Sequence, residues 1–590
     1  MSDAVKAVDV SFSYKEGSEG GCPKAIENVS LRVEAGSYCA ILGPNGSGKS
    51  TLAKIIDVLE VPDSGVVTVL GVDASVEENF YTIRENCSYV FQNPDNQIVG
   101  TIVEEDVAFG PENLGIELPE LRKRVDDALK YVGLYELRSR QAASLSGGQK
   151  QKLAIAGALA MNPKILILDE STAMLDPQSR DEFLDLVERL NRDRGVTVLT
   201  ITHDMNEAAR CGKIFVMRHG RIVMEGSPEE VFSNPERLSS ASLELPADIS
   251  LIYELSKMSG DRLEPSLLTD AKTRLNTAVS FAGNIKNIPE RITLKQSTKG
   301  RKLLEVSDLS YSYDDGKSYA IEHIDLEVYE GEILAIVGKS GCGKTTLISH
   351  LNGILRPEHG DVRLYKGDGS ALTTTDKKNV REIRKSVGLV FQYPEYQLFE
   401  ETIYKDIAYG IKDLQISDEE RDRKIREAAM RAGLEEDVLN QSPFELSGGQ
   451  KRRAAIAGVL VMEPSVLVLD EPAAGLDPKG RKEMFSLIEE LSRKGTTVVL
   501  VSHNMDEACR WADRIYCVKD GRGVACKTPA DLFENEEAAL SLGLKLPKLY
   551  EFSSKVKAEL GLKYPKMTPQ APGRDAREEA VNIARSIHGC

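Results

Sequence analysis

A glycine-rich run, GPNGSGKST, occupies Gly43, Pro44, Asn45, Gly46, Ser47, Gly48, Lys49, Ser50 and Thr51, and a second, GKSGCGKTT, occupies Gly338, Lys339, Ser340, Gly341, Cys342, Gly343, Lys344, Thr345 and Thr346. A strand followed by GxxxxGK[ST] turns successive backbone N–H groups and a helix N-terminus toward one anion, and the lysine adds a point charge. The chemistry this suits is holding the phosphates of a nucleotide, with Lys49 and Lys344 on the β- and γ-phosphates and the hydroxyls of Ser50 and Thr345 on Mg²⁺. In KILILDE and SVLVLDE, Asp169 and Asp470 are placed to hold Mg²⁺ through water. Glu170 and Glu471 follow them, placed to polarise an attacking water as general bases. His203 and His503 each close the next apolar run and are candidates for the γ-phosphate; the chain has only seven His, and two recur in this setting. Gln92 and Gln392, in two copies of VFQ, are candidate sensors of the γ-phosphate and Mg²⁺.

A second cradle lies further on. LSGGQ offers Ser146, Gly147, Gly148 and Gln149, then Ser447, Gly448, Gly449 and Gln450, a hydroxyl and glycine amides ahead of a helix. One segment cannot easily bring both cradles to the same phosphate. The motifs repeat in order at offsets of roughly 295 to 301 residues, so the chain is a duplicated domain. PEEVFSNPERLSSASLELP after the first set echoes PADLFENEEAALSLGLKLP after the second, giving each half a small C-terminal extension.

The elements that must position these groups are also legible. YCAILG at Tyr38–Gly43 is a short apolar run before the glycine turn, and TLAKIIDVLE after it has helical spacing. The runs Lys164–Glu170 and Val196–Asp204 are β-branched and continuously apolar, separated by the helical RDEFLDLVERLNRD; EILAIVG, SVLVLDE and TTVVLVSHN repeat the theme. Strands buried on both faces and joined by helices imply an α/β fold, two tandem phosphate-loop domains each with a mostly parallel sheet core. Glu117–Leu137 and Ser417–Leu439 read as separate helical lobes. The expected boundaries are 1–235 for the first domain, 236–300 for its extension and linker, 301–535 for the second domain, and 536–590 for its extension and tail.

With 590 residues, 41% hydrophobic and 28% charged, the chain has the composition of ordinary globular domains. No run of 18 uninterrupted apolar residues occurs, and MSDAVKAVDVSFSY has neither a basic start nor an apolar core, so an intracellular protein is expected. Nine Cys without a CxxC pair point to free thiols rather than a metal site or disulfide framework, with Cys342 filling space in its loop. A net charge of −17 argues against a general nucleic-acid role. The mildly basic stretch Lys286–Lys302 reads as a solvated linker.

The full set of motifs resembles that of ATP-binding cassette (ABC) ATPases. In that family the LSGGQ of one domain closes over nucleotide held by the other, which implies an intrachain pseudo-dimer: Lys49 and Glu170 with Ser447, Lys344 and Glu471 with Ser146. Asp176 in AMLDP and Asp477 in AGLDP match the family's inter-site loop, and Tyr14 and Tyr313, in FSY and YSY, match the aromatic that stacks on adenine. The implied cofactors are ATP and Mg²⁺. NPDNQIVGTIVEEDVAFGPENLG and YPEYQLFEETIYKDIAYGIKDL, with DESTAMLDP and DEPAAGLDP, are similar to the two ATPase subunits of energy-coupling factor (ECF) transporters fused in tandem. That resemblance implies a protein peripheral to the cytoplasmic face of the membrane, with two partners. One is a transmembrane scaffold subunit, docked beside Gln92–Gly110 and Gln392–Gly410; the other is a substrate-binding membrane subunit for a vitamin or transition-metal ion. A twin-cassette sugar-importer ATPase has the same layout, although one of its sites is commonly degenerate and here both keep Lys, Glu, His and LSGGQ. A soluble ribosome-associated cassette protein usually carries a strongly basic linker, which the acidic balance opposes. A DNA-repair ATPase needs long insertions for which Lys49–Ser146 leaves no room.

Overall fold

In the computed structural model the described residues are 2–14, 24–173, 175–286, 300–314, 316–392, 394–533, 536–563 and 573–588. Most of the expected linker, 287–299, lies outside them, as do Met174 of AMLDP and Tyr393 at the start of the second post-glutamine string. The chain forms two compact units. One comprises Met1–Ile249, Leu263–Arg274 and Asp477–Lys479; the other comprises Ser250–Arg262, Leu275–Leu476 and Gly480–Cys590.

In the first unit a six-stranded sheet runs, edge to edge, Arg221–Gly226, Lys213–Arg218, Tyr38–Leu42, Thr197–Thr202, Ile165–Asp169 and Cys87–Val90. Only the Arg221–Gly226 edge is antiparallel; the other pairings are parallel. Tyr38–Leu42, Ile165–Asp169 and Thr197–Thr202 are buried at every position, as parallel strands covered on both faces must be. The carboxyl ends of the central strands therefore all open on one rim, where α/β sheets bind ligands. A second, antiparallel sheet of four strands, Ile26–Glu34, Asp3–Phe12, Ser64–Val69 and Val72–Asp73, accompanies it. Ile26–Glu34 alternates buried and exposed residues, the pattern of a sheet with one solvated face.

The helix after the first glycine loop spans Lys49–Ile56, and Leu52, Ile55 and Ile56 are fully buried in the core shared by both sheets. Each such burial contributes roughly 1.5–3 kcal/mol, enough to fix the loop's exit direction. The helix stops at Ile56, short of the Glu60 that the spacing suggests, because Val58 adopts a left-handed φ of 51° and Leu59 N–H turns back to the Lys54 carbonyl.

The second unit repeats the architecture with sheet orders Val387–Val390, Val466–Asp470, Thr497–Ser502, Ile333–Val337, Arg514–Lys519, Arg522–Lys527 and Tyr319–Tyr329, Lys302–Ser312, His359–Tyr365, Ala371–Thr373. Helical lobes stand where the pattern places them. Leu118–Val132 buries Leu121, Val125, Ala128, Leu129 and Val132 along one stripe, and Asp418–Arg431 buries Ile425, Ala428 and Ala429. The extensions are helical as well: Ala247–Ser259 and Ala271–Asn284 follow the first motif set, Lys548–Lys563 and Ala576–His588 the second. Ala576–His588 is buried over most of its circumference, and its fully buried Glu579 pairs with Lys557 at 2.7 Å. His588 Nε2 lies 3.0 Å from the Ile285 carbonyl, both within the second unit. The seven described cysteines are free thiols, all buried except Cys526.

Candidate nucleotide sites

Each glycine loop turns into its helix at a residue only glycine tolerates. Gly48 and Gly343 have φ of 98° and 100°, and a Cβ at either would come within 2.5 Å of a backbone carbonyl, that of Ala25 or Ala320. The loop can thus approach an anion with its amides forward. Lys49 and Lys344 are buried and bend back over their loops, Lys49 Nζ donating to the Pro44 carbonyl at 2.9 Å and Lys344 Nζ to those of Gly338 and Lys339 at 2.9 and 2.8 Å. Burial holds the Lys49 ammonium below the ordinary lysine range, against the opposing pull of Glu170 and Asp169. Ser47 Oγ, buried in the first loop, has no hydrogen-bond partner, an unsatisfied donor of the kind a phosphate oxygen satisfies.

The strand ends deliver the carboxylates beside these loops. Ser50 Oγ donates to Asp169 Oδ1 at 2.9 Å, and Thr345 Oγ1 to Asp470 Oδ2 at 3.2 Å. A hydroxyl and a carboxylate converging on one point form the all-oxygen donor set that suits Mg²⁺. Glu170 and Glu471 come next on the chain with left-handed φ of 46° and 47°, a strained conformation concentrated at functional sites. Each is clasped from two sides. Gln92 Nε2 donates to Glu170 Oε2 at 3.1 Å while His203 Nδ1 lies 3.2 Å from Oε1; Gln392 and His503 hold Glu471 the same way at 2.9 and 2.9 Å. Lys49 Nζ is a further 3.6 Å from Glu170 Oε1. Burial works to raise the Glu170 pKa, but His203 and Lys49 outweigh it and hold the carboxyl below its usual range, ionised and able to accept a proton.

Tyr14 and Tyr313 sit at the loops' outer ends, each hydroxyl 3.2 Å from the loop threonine, Thr51 or Thr346. Both rings are exposed and braced edge-on, by Phe12 and Tyr311. Ser146 and Ser447 cap the helices Gly147–Ala160 and Gly448–Leu460 in reciprocal pairs with Gln149 and Gln450, so Gly147, Gly148, Gly448 and Gly449 open the first turns. In the first unit, Asn45 N–H donates to Asp477 Oδ2 at 2.8 Å.

Three positions escaped sequence reading. Tyr89 OH donates to Asp169 Oδ2 at 2.6 Å, where the second half has Leu389. Burial raises the Asp169 pKa with Tyr89 and Ser50 opposing; for Asp470, burial and then the Glu471 charge push it up to about 6. Gln151 Nε2 reaches the Gln92 carbonyl at 3.2 Å, whereas its counterpart Arg452 donates to the Pro472 and Ala474 carbonyls, both at 2.8 Å. Buried Glu207 accepts from Thr172, Thr200 and Thr202 and so braces the strand end before His203. Aligning the two halves residue by residue would have flagged the first two as breaks in the repeat.

The profile of the family described as "ABC transporter" matches residues 26–173 and 321–474. The chain belongs to the ABC transporter family. It is an ATPase with two tandem ATP-binding cassettes, of a kind that works with membrane subunits. A protein of Caldanaerobacter subterraneus subsp. tengcongensis, provisionally named an ABC transporter ATP-binding protein, is 33% identical over 557 residues, covering 93% of this chain and 95% of its own length. A Bacillus subtilis protein provisionally named an HMP/thiamine import ATP-binding protein is 32% identical over 552 residues, 92% and 95% respectively. Among solved structures, cbiO1 of Clostridium perfringens, part of the ABC transporter complex cbiONQ, is 35% identical with a TM-score of 0.38, over 43% of this chain and 99% of that one. Among the described residues no helix of this chain is long and apolar enough to cross a membrane.

Proposed function

We propose that this chain is the ATP-hydrolysing component of an ECF-type importer, peripheral to the membrane, whose two cassettes drive uptake of a vitamin or transition-metal ion. The observation that carries the ATPase cycle is the twofold clasp on Glu170 and Glu471, each between a glutamine amide and a histidine ring beside its own phosphate loop. In this reading Glu170 and Glu471 take the proton of the attacking water, and His203, His503, Gln92 and Gln392 orient it and the γ-phosphate. Ser50 with Asp169, and Thr345 with Asp470, hold Mg²⁺, which neutralises phosphate charge when bound. Tyr14 and Tyr313 stack on adenine. The cassettes span 1–235 and 301–535, followed by extensions 236–300 and 536–590.

Each ATP site is composite, Lys49 and Glu170 working with Ser447, and Lys344 and Glu471 with Ser146. Supporting this, each half carries both a complete phosphate loop and a complete LSGGQ cradle. Fusion keeps the partner cassette at high effective concentration, so closure needs no assembly step. For import, the support is the 32% identity to the B. subtilis protein, over nearly the full length of both chains. The test is purification of the tagged chain from detergent extracts of its native membranes. Stoichiometric recovery of a multi-span scaffold and a small substrate-binding membrane protein is expected; recovery of ribosomes with no membrane protein would reject the reading.

A further inference from the structure

At the end of the first unit's parallel sheet away from its phosphate loop lies a cavity of about 790 Å³, lined by none of the nucleotide-site residues. Lys164, Val196 and Thr197 line it, so it abuts the amino ends of the strands Ile165–Asp169 and Thr197–Thr202. Its make-up is that of a small-molecule site: buried Leu159, Pro163 and Val196 supply an apolar surface, and a few polar groups stand around it. Two of those groups are cations, Lys164 and Arg194. Among the described residues neither is ion-paired, and the Arg194 guanidinium lies 4.5 Å from the centroid of the Tyr131 ring, which holds it in place. Among the described lining residues the one carboxylate, Asp3, is already engaged, its Oδ1 2.6 Å from Arg32 Nε. The cavity therefore presents uncompensated positive charge beside an apolar surface.

The second cassette is built differently at the same places. Backbone pairing fixes the correspondence: Ala35 N–H donates to the Ser2 carbonyl as Glu330 N–H does to that of Arg301, and Thr197 N–H donates to Lys164 as Thr497 N–H does to Ser465. Arg301 Nη1 donates to the Lys366 carbonyl at 2.8 Å and its Nε lies 3.7 Å from Glu330, so a guanidinium spans the space that Ser2 and Ala35 leave open. Between paired strand positions the first cassette has only Leu70 and Gly71, whereas the second has the longer turn 365–371. The charges differ as well. Ser465 replaces Lys164, Glu463 replaces Asn162, and Lys494, in place of Arg194, is paired with Glu490 at 2.6 Å. The cationic lining is thus a feature of the first cassette and not of the fold.

We propose that this cavity binds a small organic anion, a phosphate or carboxylate group carried on an apolar, ring-sized body. Lys164 and Arg194 take the charge; Leu159, Pro163 and Val196 take the body. The cations set selectivity, because attraction to charge at a partly desolvated site separates an anion from a neutral molecule of the same shape, while the apolar lining carries much of the affinity. A ligand there touches the starts of two strands whose far ends hold Asp169 and lead into His203, yet it shares no residue with the nucleotide rim. The inference needs no membrane partner and stands apart from the transporter reading.

The test uses the full chain at low salt, with Mg²⁺ and a non-hydrolysable ATP analogue filling the phosphate loops. Saturation-transfer NMR follows three probes: phenyl phosphate, benzoate and neutral benzyl alcohol. Saturable binding of phenyl phosphate or benzoate is expected, and the tighter of the two identifies the anion. Benzyl alcohol should bind about tenfold more weakly or worse, for want of charge. The bare head groups, inorganic phosphate and acetate, should displace the anion only at about tenfold higher concentration, for want of a body. Lys164→Ser/Arg194→Ala removes both cations and should weaken the preferred anion by about tenfold or more while leaving benzyl alcohol unchanged. Asn162→Glu copies Glu463 at a residue with the same left-handed backbone, φ 56° against 53°, and should weaken the anion without removing either cation. Unfolding curves matching the parent's control for folding. The proposal fails if neither anion binds saturably, if benzyl alcohol binds as tightly, or if a bare head group competes on equal terms. It fails also if neither variant weakens the anion, which would place that anion elsewhere on the chain.

Discussion

The Tyr89 hydroxyl donates to Asp169 at 2.6 Å, and Leu389, which has no donor to give, stands at the matching strand position before Asp470. The two cassettes therefore hold their strand-end carboxylates differently although the motifs around them match. Asp470, pushed up to about 6, takes a proton as pH falls through that value, and a proton competes with the Mg²⁺ proposed to bind there. Metal-dependent nucleotide binding at the second loop should be full above about pH 7 and decline below 6. Tyr89→Phe removes a donor that favours ionised Asp169, so the first loop's decline should move to higher pH in that variant. Mn²⁺ binding followed by electron paramagnetic resonance, with Lys344→Ala or Lys49→Ala silencing one loop at a time, reads each curve separately. Identical curves for Tyr89→Phe and the parent would remove the role given to this hydroxyl.

Replacing Glu170 or Glu471 by Gln keeps the clasp's shape and removes the carboxylate proposed as base. Each single change should lower turnover at its own site by about 10²-fold or more while nucleotide still binds. Steady-state phosphate release from each variant separates the contributions. If either substitution leaves the rate untouched, that site does not hydrolyse. Ser171 against Pro472, immediately after the two glutamates, is a reason to expect unequal rates.

Asp57 offers a stability test away from the chemistry. It is buried, its Oδ1 has no partner, and burial raises its pKa to about 7 against an unfolded value near 4. Between those values the folded state binds the extra proton, so this residue's effect is neutral at low pH and stability is lost as pH rises toward 7. The second cassette has Asn352 here, its amide donating to the Val387 carbonyl at 2.7 Å. Asp57→Asn should stabilise the first unit by on the order of 1–3 kcal/mol at pH 8 and by much less at pH 4. Urea unfolding at the two pH values measures the difference, and an equal effect at both would contradict the assignment.

Chelation gives a fourth check. EDTA should stop phosphate release, and Ser50→Ala or Thr345→Ala should raise the Mg²⁺ concentration needed for half-maximal turnover several-fold at one site only. Magnesium titrations of the two variants suffice; turnover that persists in EDTA would dismiss the hydroxyl–carboxylate pairs as metal ligands.

The parallel core was readable because its strands are continuously apolar, and the loop, strand-end carboxylates, glutamines and histidines because their motifs are local in the chain. The four-stranded antiparallel sheet was not anticipated. Its strands alternate with bulges, as the register shifts along Asp3–Phe12 show, and such short alternation does not stand out from surface loops. Tyr89 was missed for a different reason: in a buried strand an aromatic reads as core, and only the fold brings its hydroxyl to a carboxylate eighty residues later in the chain. Glu207 was hidden likewise, its three threonine partners scattered over two strand ends.

The second compact unit contains both Ser250–Arg262 and the helix Ala576–His588. Ribosomes make those segments more than 300 residues apart, which at about 5–20 residues per second is on the order of 15 to 60 seconds. Ile285, buried in the finished fold with its carbonyl 3.0 Å from His588 Nε2, must wait through that interval for its partner. The nascent chain thus carries a sticky intermediate whose lifetime is set by translation speed, and slowing or pausing the ribosome in the second cassette should raise its demand for chaperones.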